Sequence, residues 1–122
     1  MKMIVTLASL IDEYKEMAQI CYHIDYSNKK SVKNNNKAVD RMYQIVNIIS
    51  SDFGGDGINE FKKLIYYKEN KTDLWAAVHM LEKMEIDKAT MQKALTIIKQ
   101  EAKQSVGLEY WLKAYEKNRL IK

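Results

Sequence analysis

Apolar residues recur at intervals of three and four along almost the whole chain, with polar residues between them. This spacing places the apolar side chains on one face of an α-helix, whereas a half-buried strand would alternate at every second residue. We therefore predict six amphipathic helices, over about residues 6–24, 33–52, 56 to a turn at 68–71, 72–84, 88–103 and 105–118.

Polar and glycine-rich segments set the predicted ends of these helices. Residues 25–36 are polar and predict a loop with a ragged start to the second helix. The pair Gly54-Gly55 ends that helix, because a left-handed cap costs little at glycine. Side chains suited to capping the later helices are Asp56, Thr72 or Asp73, Asp87 and Ser105.

Each predicted helix has an apolar stripe that we assign to the core. The predicted core residues, in chain order, are Leu7, Leu10, Ile11, Tyr14, Met17, Ala18, Cys21, Val39, Met42, Ile45, Val46, Ile49, Ile58, Phe61, Leu64, Ile65, Leu74, Ala77, Val78, Leu81, Met84, Met91, Ala94, Leu95, Ile98, Ala102, Leu108, Trp111, Leu112 and Tyr115.

The spacing of the later helices suggests repeated helical pairs. A pair over residues 56–84 is followed by a second over 87–118, a step of about thirty residues that is typical of helical-repeat solenoids. The two pairs share no clear letter-by-letter repeat. The pattern therefore leaves two all-α architectures open, a solenoid of antiparallel hairpins and a compact helical bundle.

Composition narrows the class of protein. The 122 residues are 47% apolar and 30% charged, contain no proline and only four glycines, and suit one helical domain over residues 1–122 rather than a β-sandwich or a disordered chain. Cys21 is the only cysteine, which excludes an intramolecular disulfide and fits a reducing compartment. The longest apolar run, residues 3–11, is too short to span a membrane and lacks the features of a signal peptide. We therefore expect a soluble cytoplasmic protein without a membrane partner.

The positive charge is concentrated in the second half of the chain. The net charge is +4, with −1 over residues 1–60 and +5 over residues 61–122. A positive surface of this kind can bind nucleic acid. However, the lysines alternate with glutamates, and a solvated lysine-rich surface is the alternative that we favour.

The sequence offers little for catalysis. Cys21 and His23 lie on different faces of the first helix and cannot pair locally as a metal site or as thiolate and imidazole. The segment from Gly54 to Gly57 lacks the lysine and the preceding strand of a phosphate-binding loop. Carboxylates such as Glu82 and Glu85 lie on helix surfaces. We therefore predict no enzyme and no catalytic, cofactor or metal-binding residues.

The fourth helix contains the most informative cluster. Trp75 and His79 are four residues apart, so they lie on the same side of the helix, next to Glu82. Tryptophan is enriched where proteins bind one another, so this shoulder is a candidate partner surface. The alternative is that both rings pack against the neighbouring helical pair.

Four segments resemble a known family: residues 36–40, the stretch from Gly54 to Leu64, residues 74–81 and residues 110–113. Together they resemble a small bacterial family of HEAT-like helical repeats found among the immunity genes beside polymorphic and contact-dependent toxins. The resemblance implies a right-handed solenoid whose second helices line one face. It also implies an antitoxin that binds and blocks a cognate toxin domain in the cytoplasm. The family's fourth helix usually opens with Val-Arg, and Thr72-Asp73 stands there in this chain, so a contact made by that arginine is missing.

Combining the resemblance with the surface pattern gives a candidate partner face on the second, fourth and sixth helices. Its predicted members are Tyr43, Trp75, His79, Glu82, Tyr110 and Lys113. A nucleic-acid-binding helical-repeat module or an adaptor is the alternative function. The net positive charge disfavours a nuclease as the target, because a basic nuclease would require an acidic inhibitor.

Overall fold

The computed structural model describes residues 5–121, and side chains over residues 5–118. Residues 1–4 and 122 lie outside this part, so the predicted domain limits and the start of the apolar run 3–11 fall partly beyond it. The described chain forms six α-helices and no strand, which confirms the all-α prediction. The helices are α1 Leu7–Tyr22, α2 Lys29–Asp52, α3 Gly54–Phe61, α4 Thr72–Lys83, α5 Lys88–Ala102 and α6 Val106–Ile121, with 3₁₀ turns at Lys62–Tyr66 and Glu69–Lys71 before α4.

Helix α2 begins earlier than the polar composition predicts. It starts at Lys29 instead of residue 33, because the Asn28 side chain accepts a hydrogen bond from the Ser31 amide at 3.1 Å and caps the helix. The predicted loop over residues 25–36 is therefore wrong over most of its length. The first turns of α2 extend into solvent and need no apolar stripe.

Glycines determine how α3 follows α2. Gly54 has a φ of +55°, the left-handed conformation predicted for this pair. A Cβ at Gly57 would lie 2.8 Å from the carbonyl oxygen of Ile49, so this glycine lets α3 approach the end of α2 closely. Asp56 lies inside the first turn of α3, and the prediction that it is the N-cap is wrong. Lys71 is the N-cap residue of α4, so neither Thr72 nor Asp73 holds that position. The caps predicted for α5 and α6 are confirmed: the side chains of Asp87 and Ser105 accept from backbone amides three residues on.

Helix α4 is the central helix of the fold. It packs against α1, α2, α5 and the 3₁₀ turn Lys62–Tyr66, whereas α6 packs mainly on α5. The predicted stripe on α4 is rotated from the observed one, since Leu74, Val78 and Leu81 are only half-buried. A helix surrounded on several sides buries a broad arc. The fully buried residues of α4 are Thr72, Ala76, Ala77, His79 and Met80.

The order of neighbours along the chain is compatible with both predicted architectures, the solenoid and the bundle. Buried apolar side chains from α1 through α5 form one cluster around α4, and half-buried side chains of α6 pack against its edge. Over residues 5–121, no helix has the length and apolar character required to cross a bilayer.

Candidate partner-binding groove

A buried pair of polar side chains joins α1 to α4. The Tyr14 hydroxyl and the His79 Nδ1 atom lie 2.7 Å apart, and both side chains are fully buried. The Tyr14 ring also meets the Phe61 ring edge-on, with centroids 4.9 Å apart. This pair ties together residues 65 positions apart in the sequence.

The interior keeps His79 neutral and fixes its tautomer. Burial, assisted by the charge of Lys83, lowers the pKa of His79 to about 4. Burial likewise raises the pKa of Tyr14 well above its usual value, so the phenol stays protonated. Its proton has no other acceptor among the described residues, so Tyr14 donates to Nδ1 and the His79 proton resides on Nε2. This Nε2–H is buried and has no hydrogen-bond partner in the described chain.

Two further rings pack beside His79. The Tyr43 ring of α2 lies 4.5 Å from the imidazole, centroid to centroid, and the Trp75 ring lies 5.7 Å away. The Tyr43 hydroxyl donates to a carboxylate oxygen of Glu82 at 3.1 Å. Burial, followed by the charge and hydrogen bond of Glu82, raises the pKa of Tyr43. The tyrosine ring is therefore anchored at its outer end.

An open groove of about 600 Å³ lies over these rings. It runs between the end of α1, the first half of α4 and the turn that joins α5 to α6. We call it the tyrosine groove; its lining residues are Cys21, Tyr22, Tyr26, Tyr43, Asn70, Lys71, Leu74, Trp75, Val78, His79, Glu101, Gln104, Ser105 and Leu108. A concave, largely apolar surface with a few polar groups is typical of a binding site.

One rim of the tyrosine groove has a strained backbone. Asn70 and Lys71 are consecutive residues with φ of 56° and 57°, a conformation that residues other than glycine seldom adopt. The Lys71 ammonium binds the Glu101 carboxylate at 2.5 Å, which holds the rim to the end of α5. This hydrogen bond raises the pKa of Lys71. Such strain is often found where a protein binds its ligand.

The structure brings four of the six predicted partner-face residues together. Tyr43, Trp75, His79 and Glu82 form one connected cluster, whereas Tyr110 and Lys113 lie on α6 outside the tyrosine groove. Tyr110 is 73% exposed, and Lys113 binds Glu109 on its own helix at 3.2 Å.

His79 differs from the other members of this set in its burial. Its side chain is fully buried, so it does not itself form part of a partner surface, and the alternative given above, packing against neighbouring helices, describes it. Trp75, in contrast, is half-buried and reaches the groove. The imidazole lies beneath the partner surface and does not form part of its exposed area.

Cys21 is buried, and burial raises the pKa of its thiol to about 11. Its burial agrees with the packing role predicted from its position on the apolar stripe of α1. Over residues 5–121, no group of three or more histidine, cysteine or carboxylate side chains has the geometry to hold a metal ion.

Several lysines of the basic second half form ion pairs with nearby carboxylates. Five of its lysines bind carboxylates of the same chain at distances from 2.5 to 4.0 Å. These pairs are Lys62–Asp87, Lys63–Glu60, Lys71–Glu101, Lys99–Glu116 and Lys113–Glu109. This arrangement is typical of a solvated surface rather than of a continuous nucleic-acid-binding patch.

Sequence reasoning missed the contributions of α1 and its following loop to the groove. Tyr22 and Tyr26 are 54% and 82% exposed, lie off the predicted stripe, and still line the groove. Two exposed tyrosines within five residues at the end of a helix were the available signal, since large exposed aromatic side chains mark binding surfaces.

Comparisons with known proteins add no further constraint on the site. No family model, no curated protein and no solved structure matched the chain.

Proposed function

We propose that this protein is an immunity protein that binds a cognate bacterial toxin domain in the cytoplasm and neutralises it by contact, without chemistry of its own. The observation that supports the proposal most is the tyrosine groove, in which Trp75 lies half-buried and Tyr22 and Tyr26 stand exposed at the edge. Aromatic side chains in a concave setting supply most of the binding free energy in many protein interfaces. The resemblance of the sequence segments supplies the class of partner.

A rigid floor makes this groove suitable for binding. Its base is the central helix α4, and the rings under it are fixed by the Tyr14–His79 hydrogen bond and by the Tyr43–Glu82 hydrogen bond. Residues that are ordered before binding lose less conformational entropy when the complex forms.

Co-expression with a toxin domain encoded next to the gene of this protein, where the locus carries one, tests the proposal. Trp75→Ala removes the half-buried ring, and we expect a loss of about 2 kcal/mol of binding free energy, which weakens the complex by roughly thirtyfold and reduces survival. Tyr110→Ala tests the part of the predicted face outside the groove. Gln92→Ala is the control that should keep protection, because Gln92 is exposed on α5 and does not line the groove.

Each variant must first be shown to fold, by its helical circular dichroism and the cooperativity of its thermal melt. Full protection by a folded Trp75→Ala variant would contradict binding through the groove. If the wild-type protein gave no protection at equal expression, the immunity function itself would be rejected.

A further inference from the structure

Among the described residues, Nε2 of His79 is the one polar side-chain atom that is buried without a hydrogen-bond partner. Burying a donor without an acceptor costs free energy, so such groups are rare in folded proteins and often mark a functional site. This donor belongs to a residue that lines the tyrosine groove. The imidazole is neutral, so it offers a single N–H toward an acceptor and carries no charge.

The groove lining contains one lysine and one glutamate, and these two side chains bind each other. Lys71 on the rim binds Glu101, and Lys83 and Glu82 flank the Tyr43 ring together, with the Lys83 ammonium 5.9 Å from the ring centroid. A strongly anionic or cationic ligand would find no excess of opposite charge here. The groove instead suits a neutral acceptor attached to an apolar group, and a peptide carbonyl next to a large apolar side chain has this chemistry.

We infer that the tyrosine groove receives a large apolar side chain from the partner protein, and that a neutral carbonyl oxygen of the same segment accepts a hydrogen bond from His79 Nε2. This inference rests on the proposed function, since it specifies how the toxin segment is recognised.

Binding requires one ring to move. Nε2 is itself buried, so an acceptor reaches it only when a neighbouring side chain turns aside, and Tyr43 and Trp75 are the two rings beside the imidazole that line the groove. Tyr43 is held by its hydrogen bond to Glu82, whereas no described hydrogen bond holds the Trp75 indole. Trp75 is therefore the ring that turns, and its motion couples occupation of the groove to the imidazole beneath.

A small neutral peptide mimic tests the inference without the toxin. N-acetyl-L-phenylalaninamide, which has both the apolar ring and the carbonyl acceptors, is titrated into the full chain labelled with ¹⁵N-histidine. NMR of the His79 ring nitrogens reports occupation. We expect a dissociation constant on the order of millimolar, the affinity usual for a ligand of this size, and a change of the Nε2 resonance while Nδ1 keeps its bond to Tyr14.

Two comparison probes separate the two parts of the recognition. N-acetylglycinamide retains the carbonyls but lacks the apolar side chain, and N-acetyl-L-phenylalanine has a carboxylate in place of the neutral amide. Both should bind more weakly than N-acetyl-L-phenylalaninamide. If N-acetylglycinamide bound as well as N-acetyl-L-phenylalaninamide, or if the carboxylate bound better, the assigned ligand chemistry would be wrong.

A matched pair of variants locates the site. Gln104 is exposed and lines the groove, and Gln92 is exposed on α5 away from it. Gln104→Trp fills the groove and should weaken probe binding by about tenfold or more, whereas Gln92→Trp should bind as the wild type does. Equal binding by both variants, or an Nε2 resonance that does not respond to the probe, would overturn the inference.

The same two variants keep this inference distinct from the proposed function. If Gln104→Trp loses probe binding but still protects cells against the toxin, the partner does not use the groove, and the immunity function stands without it. If the probe binds as expected and the wild-type protein does not protect, the groove is a ligand site and the immunity function is wrong.

Discussion

Acidification should destabilise the fold through His79. The pKa of this residue is about 4 in the folded chain and about 6.5 when the chain unfolds, so the unfolded state binds more protons between these values. The stabilisation that results from keeping the imidazole neutral is complete above pH 6.5 and is lost as the pH falls toward 4. One proton gives a limiting slope of 1.36 kcal/mol per pH unit. From pH 7 to 4.5 the free energy of unfolding should fall by roughly 2 to 3 kcal/mol on account of His79 alone.

Urea denaturation at a series of pH values measures this loss. Other groups titrate in the same range, so His79→Gln is compared with the wild type, and its free energy of unfolding should depend less on pH even though its absolute stability is lower. His23→Gln is the matched control, because His23 is the other histidine and is exposed. A wild-type slope retained in His79→Gln would refute the reasoning. If His79→Gln does not fold, an NMR titration of His79 in the wild-type chain decides, and a pKa near 6.5 would contradict the account.

Two further predictions concern packing. Ala77→Leu should lower the free energy of unfolding by about 1 to 3 kcal/mol, because Ala77 is fully buried on the central helix. Ala8→Leu, on the exposed side of α1, should change this free energy little. Equal shifts of the two variants in thermal melts would show that α4 is not central. Gly57→Ala should destabilise the chain by a similar amount, since its Cβ would lie 2.8 Å from the Ile49 carbonyl oxygen. Gly55→Ala, with no atom within 4 Å of the added Cβ, should be neutral or stabilising, and chemical denaturation of both variants tests the contrast.

The sequence was sufficient to predict the helices, but it did not show which face of α4 is buried. Spacing at three and four locates a stripe, and on α1 the buried residues Leu10, Tyr14 and Ala18 follow it. On α4 apolar or small residues occupy almost the whole circumference, so periodicity alone cannot identify the inward side. The recurrence of small residues at Ala76 and Ala77 was a signal that neighbouring helices approach from more than one direction.

The role of His79 could not be predicted from local pattern. Its hydrogen-bond partner Tyr14 lies 65 residues earlier, and only the tertiary fold brings the two side chains together. The same holds for the tyrosine groove, whose lining comes from five helices and three connecting segments. Sequence spacing placed Trp75 and Glu82 on the same side of α4, but it could not show that Tyr110 and Lys113 lie outside the groove.

Titration of the purified toxin domain with this protein tests the proposed function most directly. With the toxin at a concentration well above the dissociation constant, its activity should fall in proportion to the protein added and reach zero at one molar equivalent, with no further change on longer incubation. Trp75→Ala, which binds more weakly, should leave residual toxin activity at one equivalent and require an excess of protein for full inhibition. A toxin that retained full activity in the presence of excess protein would contradict the proposed function, and so would a toxin that was inactivated progressively by far less than one equivalent.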